Sequence, residues 1–349
     1  RNAVAARAVT ARSPIAGSPV VGGAIRSDIR GPRDGREMDL DFGAPLWLPG
    51  QRGALMGTVE TGVAEVDRRS DLRRLEVAGA LRSAWWEARD AQRIAQLARE
   101  RVQTAQGISR DVARRANLGD IPPTEALLAR NETLAAELAL AQAEALAAAT
   151  VATYRTITGG LSPDTLSPEA VRAGEAHPAL LAARASLERA QAQARLVAAT
   201  PRDNPELGVF ARREVDQLAG DSTSLGLRFR VPLATEARNA PRRAEAEAEI
   251  TRTTAELAQA ERLVNADIAR AEAALRVAEA NARLARQRLD VAREQEGIAL
   301  AAFRNGETGT FDLFRVRQLR LEAAAEEGRA AVEALRARSR VNQARGVVP

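Results

Sequence analysis

The chain of 349 residues has no cysteine, no lysine, one histidine, two methionines and only 3% aromatic residues. Without cysteine, neither a disulfide nor a thiolate metal site can form. His177, Met38 and Met56 are too few to assemble a protein-based metal cluster, and His177 is expected in a solvated linker turn. Scarce aromatics leave few large side chains to fill a broad interior. No run of about 18 apolar, uncharged residues stands out, so no transmembrane helix is expected. A Ser/His/Asp set, a phosphate-cradling glycine loop and a paired-carboxylate pocket are all missing. The chain therefore reads as no enzyme and needs no cofactor. The 51 basic residues are all arginine and lie interspersed with 46 acidic ones, for a net charge of +5. That mixture fits solvated helix faces with i,i+4 pairs and not the basic stripe of a nucleic-acid binder.

What is present occurs twice. Pro45-Leu46 recurs as Pro232-Leu233, and Gly119-Asp120 as Gly306-Glu307, both at an offset of 187 residues. Alanine-, arginine- and glutamate-rich stretches lie between these landmarks, at 53–117 and 241–304, and read as very long helices. The first repeat covers 1–158: an incomplete leading helix, strands 19–29 and 36–46, the long helix 53–117 and a return helix 121–157. A linker follows at 159–177. The second repeat, 178–349, has a leading helix 178–199, strands 206–215 and 222–231, the long helix 241–304 and a return helix 310–345.

The strands show period two: Leu225, Leu227, Phe229 and Val231 alternate with Ser224, Gly226, Arg228 and Arg230, as Met38, Leu40 and Phe42 do with Asp39, Asp41 and Gly43. Turns are expected at 31–35 and 217–221. The long helices carry heptad seams. Val264, Ala271, Ala278, Ala285, Ala292 and Ala299 interleave with Ile268, Leu275, Ala282 and Leu289, and the first repeat matches from Val77 to Val112. A second stripe, Val277, Leu284, Val291 and Ile298, predicts a neighbour on each side of the second long helix. Strands of this length with one apolar face suit a bilayer crossing, but four cannot close a barrel. Three chains would supply twelve.

These features resemble the TolC family of outer-membrane efflux proteins. The matching residues are Pro-Leu-Trp-Leu-Pro-Gly-Gln-Arg at 45–52, Arg-Val-Pro-Leu at 230–233, Arg-Arg-Ala-Asn-Leu-Gly-Asp at 114–120 and Phe-Arg-Asn-Gly-Glu at 303–307. Gly-Asp-Ile-Pro-Pro-Thr-Glu-Ala-Leu-Leu-Ala-Arg at 119–130 looks most like the heavy-metal and cation (cobalt-zinc-cadmium) branch. The resemblance implies a mainly α fold with a small β part, trimeric, with a 12-stranded barrel continued by a helical barrel. It also implies a Gram-negative outer-membrane location reaching into the periplasm, and a passive exit duct for metal cations or small toxic compounds. Partners would be a periplasmic adaptor and an inner-membrane pump of the resistance-nodulation-division type. Family members carry an export signal, often a lipidated cysteine, and a full leading helix, so the chain reads as N-terminally trimmed. A soluble coiled-coil scaffold or tethering rod is the alternative; it has no use for four strands of membrane-spanning length.

Candidate site residues follow from the same reading. Gly119 and Gly306 are expected to end helices in left-handed conformation. With Leu118, Asp120, Asn305 and Glu307 they would form the periplasmic tip where an adaptor docks. Glu125 and Asp312 are candidates for an entrance ring, or simply helix-start charges. Trp47 suits an interfacial anchor or a cap on the barrel-to-helix junction. Trp85 and Trp86 interrupt an alanine-rich face, where one is expected to meet the return helix.

Overall fold

The computed structural model describes residues 1–29, 35–165, 167–174, 176–216, 220–305 and 307–348. The expected turns at 31–35 and 217–221 lie largely outside these residues, and Gly306 does so entirely. The elements are α1 (Asn2–Arg12), β1 (Val20–Ser27), β2 (Arg36–Pro45), α2 (Gln51–Asn117), α3 (Pro123–Thr158), α4 (Pro178–Ala198), β3 (Glu206–Asp216), β4 (Gly220–Arg230), α5 (Glu236–Arg304) and α6 (Thr310–Ala344).

Three helix starts differ from expectation: α2 begins at Gln51, two residues before 53, and the other two turn on proline. α3 begins at Pro123, not 121, because a residue before proline avoids the helical region whereas proline suits the first helical position. α5 begins at Glu236 and carries Pro241 inside it. So near the helix start, proline forfeits only a single backbone bond. The N–H groups of Arg238 and Asn239 close the first turn on the Thr235 carbonyl, and the Asn239 amide holds the Pro201 carbonyl at 2.8 Å.

The chain forms two compact units, each drawing on both repeats: Arg1–Leu72 with Pro178–Arg262, and Arg73–His177 with Leu263–Pro349. The first holds a four-stranded antiparallel sheet in the order β1-β2-β3-β4. Its helical part is a row. Arg52 of α2 donates to the last carbonyls of α1, at Ala11 (2.7 Å) and Arg12 (3.1 Å). α2 meets α4 through the buried Glu65, which accepts from Ser186 at 3.0 Å and Arg189 at 2.6 Å. Arg184 of α4 reaches Glu261 of α5.

The second unit is also a row, in the order α3–α2–α6–α5. Arg99 and Gln106 of α2 bond Glu144 and Glu137 of α3, both at 3.0 Å. Trp86 of α2 donates to Ser339 Oγ of α6 at 3.0 Å. Ala278 of α5 packs with Ala334 and Ala337 of α6, and Leu289 and Ala292 pack with Ala323. The expected alanine seam is therefore the α5–α6 contact, with alanine allowing close approach. Both tryptophans are buried: Trp85 donates to the Pro163 carbonyl at 2.7 Å, and the rings meet edge to face, 4.5 Å apart, over Tyr154.

Three expectations need correction. Val77 stands exposed while Leu75 and Ala78 are buried, because a straight α-helix drifts about 20° per heptad against a seven-residue repeat. His177 is half-buried, not solvated, and burial lowers its pKa despite the opposing carboxylate of Asp267. Finally, α3 is by length and composition apolar enough to cross a membrane. Its Glu137 and Glu144 bond to α2, so it lies in the helical row.

Candidate functional site

The sheet separates its side chains by chemistry. Register pairs Val21 with Phe42, Ile25 with Met38, Phe42 with Val209, and Val209 with Leu227, so these share one face. That face is bare: Ile25 is 78% exposed, Leu225 83% and Leu227 77%. The opposite face is charged and more enclosed, with the Asp39 side chain only 18% exposed. Ion pairs cross it: Arg26–Glu37 at 3.7 Å, Arg212–Asp39 at 2.8 Å, Arg228–Asp41 at 3.2 Å and Arg230–Glu206 at 3.1 Å. A soluble sheet buries its apolar face and wets its polar one. Here the order is inverted, as in a barrel wall whose apolar side faces lipid and whose polar side faces water.

Below the sheet, the junction is fastened by polar groups. Trp47, half-buried, donates its indole N–H to the Ser13 carbonyl at 3.0 Å. Gln51 and Asn204, one from each repeat, exchange amide hydrogen bonds at 2.6 and 3.2 Å, and Asn204 also holds the Leu46 carbonyl at 2.7 Å. The Trp47 ring is thus tied back to α1 within the junction.

At the far end of α2, Leu118, Gly119 and Asp120 are exposed, and Gly119 adopts φ +82°. The Asp120 N–H bonds the Arg115 carbonyl at 3.0 Å and the Gly119 N–H bonds that of Ala116 at 3.1 Å, a full Schellman closure. The second repeat makes the equivalent bond, Glu307 N–H to the Ala302 carbonyl, at 2.9 Å. Asn305 and Glu307 are exposed, and the Arg115 guanidinium lies 4.7 Å from the Phe303 ring centre. Glu125 and Asp312 sit in the first turns of α3 and α6. Asp312 is exposed; Glu125 lines a cavity of about 580 Å³ with Arg101, Leu128, Phe314 and Arg317.

Sequence reasoning missed the anchoring of the linker. The buried Arg82 grips Glu169 by two bonds, Nε to Oε2 at 3.0 Å and Nη2 to Oε1 at 3.1 Å, and also donates to Gln343 and the Val347 carbonyl. Asn342 bonds Glu169, the Ala170 carbonyl and the Arg172 N–H. A Cβ on Gly174 would lie 2.3 Å from the Arg345 carbonyl oxygen, so the strap crosses α6 at backbone contact. The available signal was an arginine, Arg82, in the apolar stretch 77–86 beside the seam residue Leu81.

The outer membrane efflux protein profile matches residues 170–347, just over half of the chain. The chain belongs to the outer membrane efflux protein family. Protein CyaE of Bordetella pertussis is 32% identical over 221 residues, 57% of this chain and 47% of CyaE, so the chain spans about half the length of that relative. Among solved structures, the outer membrane protein VceC of Vibrio cholerae shares the fold at TM-score 0.77 and 16% identity, covering 99% of this chain and 90% of VceC. CusC follows at 0.74 and 14%, covering 99% and 86%, and the MtrE channel of Neisseria gonorrhoeae at 0.73 and 14%, covering 99% and 84%. The fold is thus that of outer-membrane efflux channels, mainly helical with a small antiparallel sheet. Family membership places the chain in the outer membrane, reaching into the periplasm, as an efflux-family protein and not an enzyme or a soluble rod.

Proposed function

We propose that three copies of the chain close into one channel-tunnel, the passive outer-membrane exit duct of a tripartite efflux system. The observation that carries this reading is the open four-stranded sheet with its apolar face bare. Among the described residues both edges, β1 and β4, are unpaired in one chain, and an open edge is untenable in lipid. Three copies of four strands make a twelve-stranded wall.

The helical rows support the same closure. In the second unit the edge helices are α3 and α5, and these carry the exposed apolar stripes. Val277, Leu284, Val291 and Ile298 of α5 are 59%, 63%, 56% and 66% exposed, and Leu127, Leu134 and Leu138 of α3 are exposed too. On α5 the bare stripe lies about 130° around from the covered seam, and on α3 Leu134 lies about 160° from the buried Ala136, at 100° per residue, which suits members of a cylinder. α3 of one copy then packs on α5 of the next. The repeat offset sets the level: Glu137 bonds Gln106, whose equivalent on α5 is Arg293, so Leu138 should face Val291 of the neighbour.

The remaining assignments extend this reading. Trp47 would stand at the membrane interface, anchored through Ser13. The turns at Leu118, Gly119, Asp120 and at Asn305, Gly306, Glu307 would meet a periplasmic adaptor linked to an inner-membrane pump of the resistance-nodulation-division type. Glu125 and Asp312 would ring the entrance. Metal cations or small toxic compounds would pass through without a binding site in the wall, with the pump selecting them.

Because the chain has no cysteine, the test is clean. Leu138→Cys combined with Val291→Cys, oxidised in the native membrane, should give a covalent ladder ending at three copies. A ladder ending at two, or efficient crosslinking within one chain, would refute the closure.

A further inference from the structure

On the charged face of the sheet, large side chains lie over glycines of neighbouring strands. Phe210 of β3 is paired with Gly226 of β4, and a Cβ there would come within 2.5 Å of the ring. Asp41 of β2 is paired with Gly22 of β1, where a Cβ would come within 2.7 Å of the carboxylate. Arg228 pairs with Gly208, which in turn pairs with Gly43. With no side chain at Gly208, Arg228 crosses the whole width of β3 to reach Asp41 on β2 at 3.2 Å, passing 5.6 Å from the Phe210 ring centre.

The usual geometry is different. Side chains stand roughly perpendicular to a sheet, so on the inner face of a narrow barrel a phenylalanine and an arginine would project towards the axis. Here the glycine floor lets both lie along the wall, locked to each other and to a carboxylate. We propose that this floor sets the bore of the barrel: Gly22, Gly208 and Gly226 keep Asp41, Arg228 and Phe210 out of the passage. The segment thereby admits cargo larger than its side chains would otherwise permit. The inference rests on the charged face being the inner wall, as proposed above.

The experiment uses size-graded, polymer-linked maleimides added to intact cells carrying the full chain. The reporter is Ser18→Cys, beside Asp41, Gly43 and Arg228 on the inner face. It is read in four backgrounds: otherwise unchanged, Gly226→Ala, Phe210→Ala, and both together. Gly226→Ala displaces the ring and should lower the largest polymer that labels Ser18→Cys, and adding Phe210→Ala should restore it. Phe210→Ala alone should leave the limit unchanged, because the ring already lies flat. An unchanged limit in Gly226→Ala overturns the proposal, as does a raised limit in Phe210→Ala alone, which decides the matter even if Gly226→Ala fails to assemble. Failure of the smallest maleimide to label Ser18→Cys in any background refutes the inner-wall reading itself.

Discussion

Replacing Arg82 with methionine should release the linker strap. The Arg82 side chain is 8% exposed and that of Glu169 22%. Removing one partner of a fully buried pair costs about 3–5 kcal/mol, mostly because a charge is left buried and unpaired. Glu169 is partly wetted and keeps the Asn342 amide at 3.1 Å, so the cost falls at or below the bottom of that range, about 2–3 kcal/mol. At 1.4 kcal/mol per factor of ten, the strap should open roughly 30- to 140-fold more often. Limited proteolysis reads that population when closing outpaces cleavage, so the linker around Glu169 should be cut faster by a similar factor. Arg82→Met with Glu169→Met removes the stranded charge and should recover at least about 1 kcal/mol, roughly a fivefold slower cut than the single variant. A single variant cut within about threefold of the parent, or a double variant cut faster than the single, would refute this account of the anchor.

The alanine seam should be intolerant of bulk: Ala278→Leu or Ala285→Leu overpacks the α5–α6 contact and should cost about 1–3 kcal/mol each, whereas Arg283→Leu, exposed on the same helix, should be nearly neutral. Equal melting temperatures for the three would show that the seam is not packed. Burial holds the His177 imidazole below its ordinary pKa. The unfolded chain therefore takes up that proton first, so stability is full above about pH 6.5 and is lost as the pH falls through that value towards the folded one. His177→Gln should flatten this part of the melting profile; an unchanged slope would mean that other groups cause it. Asp312→Asn, in planar bilayers, should lower cation selectivity and weaken block by multivalent cations at unchanged thermal stability, as expected of a carboxylate ring. If selectivity holds while stability falls, Asp312 is only a helix-start charge.

Local rules made most of the architecture legible. The strands announced themselves because Leu225, Leu227 and Phe229 alternate with polar residues, and period two then assigned each side chain to a face. The Gly119 turn could be read because a Schellman closure depends on a few adjacent residues, and the 187-residue offset carried the pattern to Glu307. The strap was not legible, since Glu169 and Arg82 are 87 residues apart and neither lies in a periodic element shared with the other. Nor was the glycine floor. A glycine in a strand reads as a weakness until the neighbouring strand shows the ring that occupies its space.

The bare surfaces decide what kind of molecule this is. A soluble protein with 45% hydrophobic residues would fold its apolar stripes inward. This chain instead buries one alanine seam on α5 and leaves Leu284 and Val291 open, and it pairs every charge it can on one sheet face while leaving Leu225 bare on the other. The exposed stripes sit on the edge helices, and the unpaired strands are the edge strands. Single exposed residues such as Val77 occur elsewhere, but the continuous stripes lie on the edge helices, as the proposed closure requires. Lipid can cover the sheet's outer face, but it offers no hydrogen bonds to β1 and β4. The proposed closure answers that need: strands of further copies would pair with both edges.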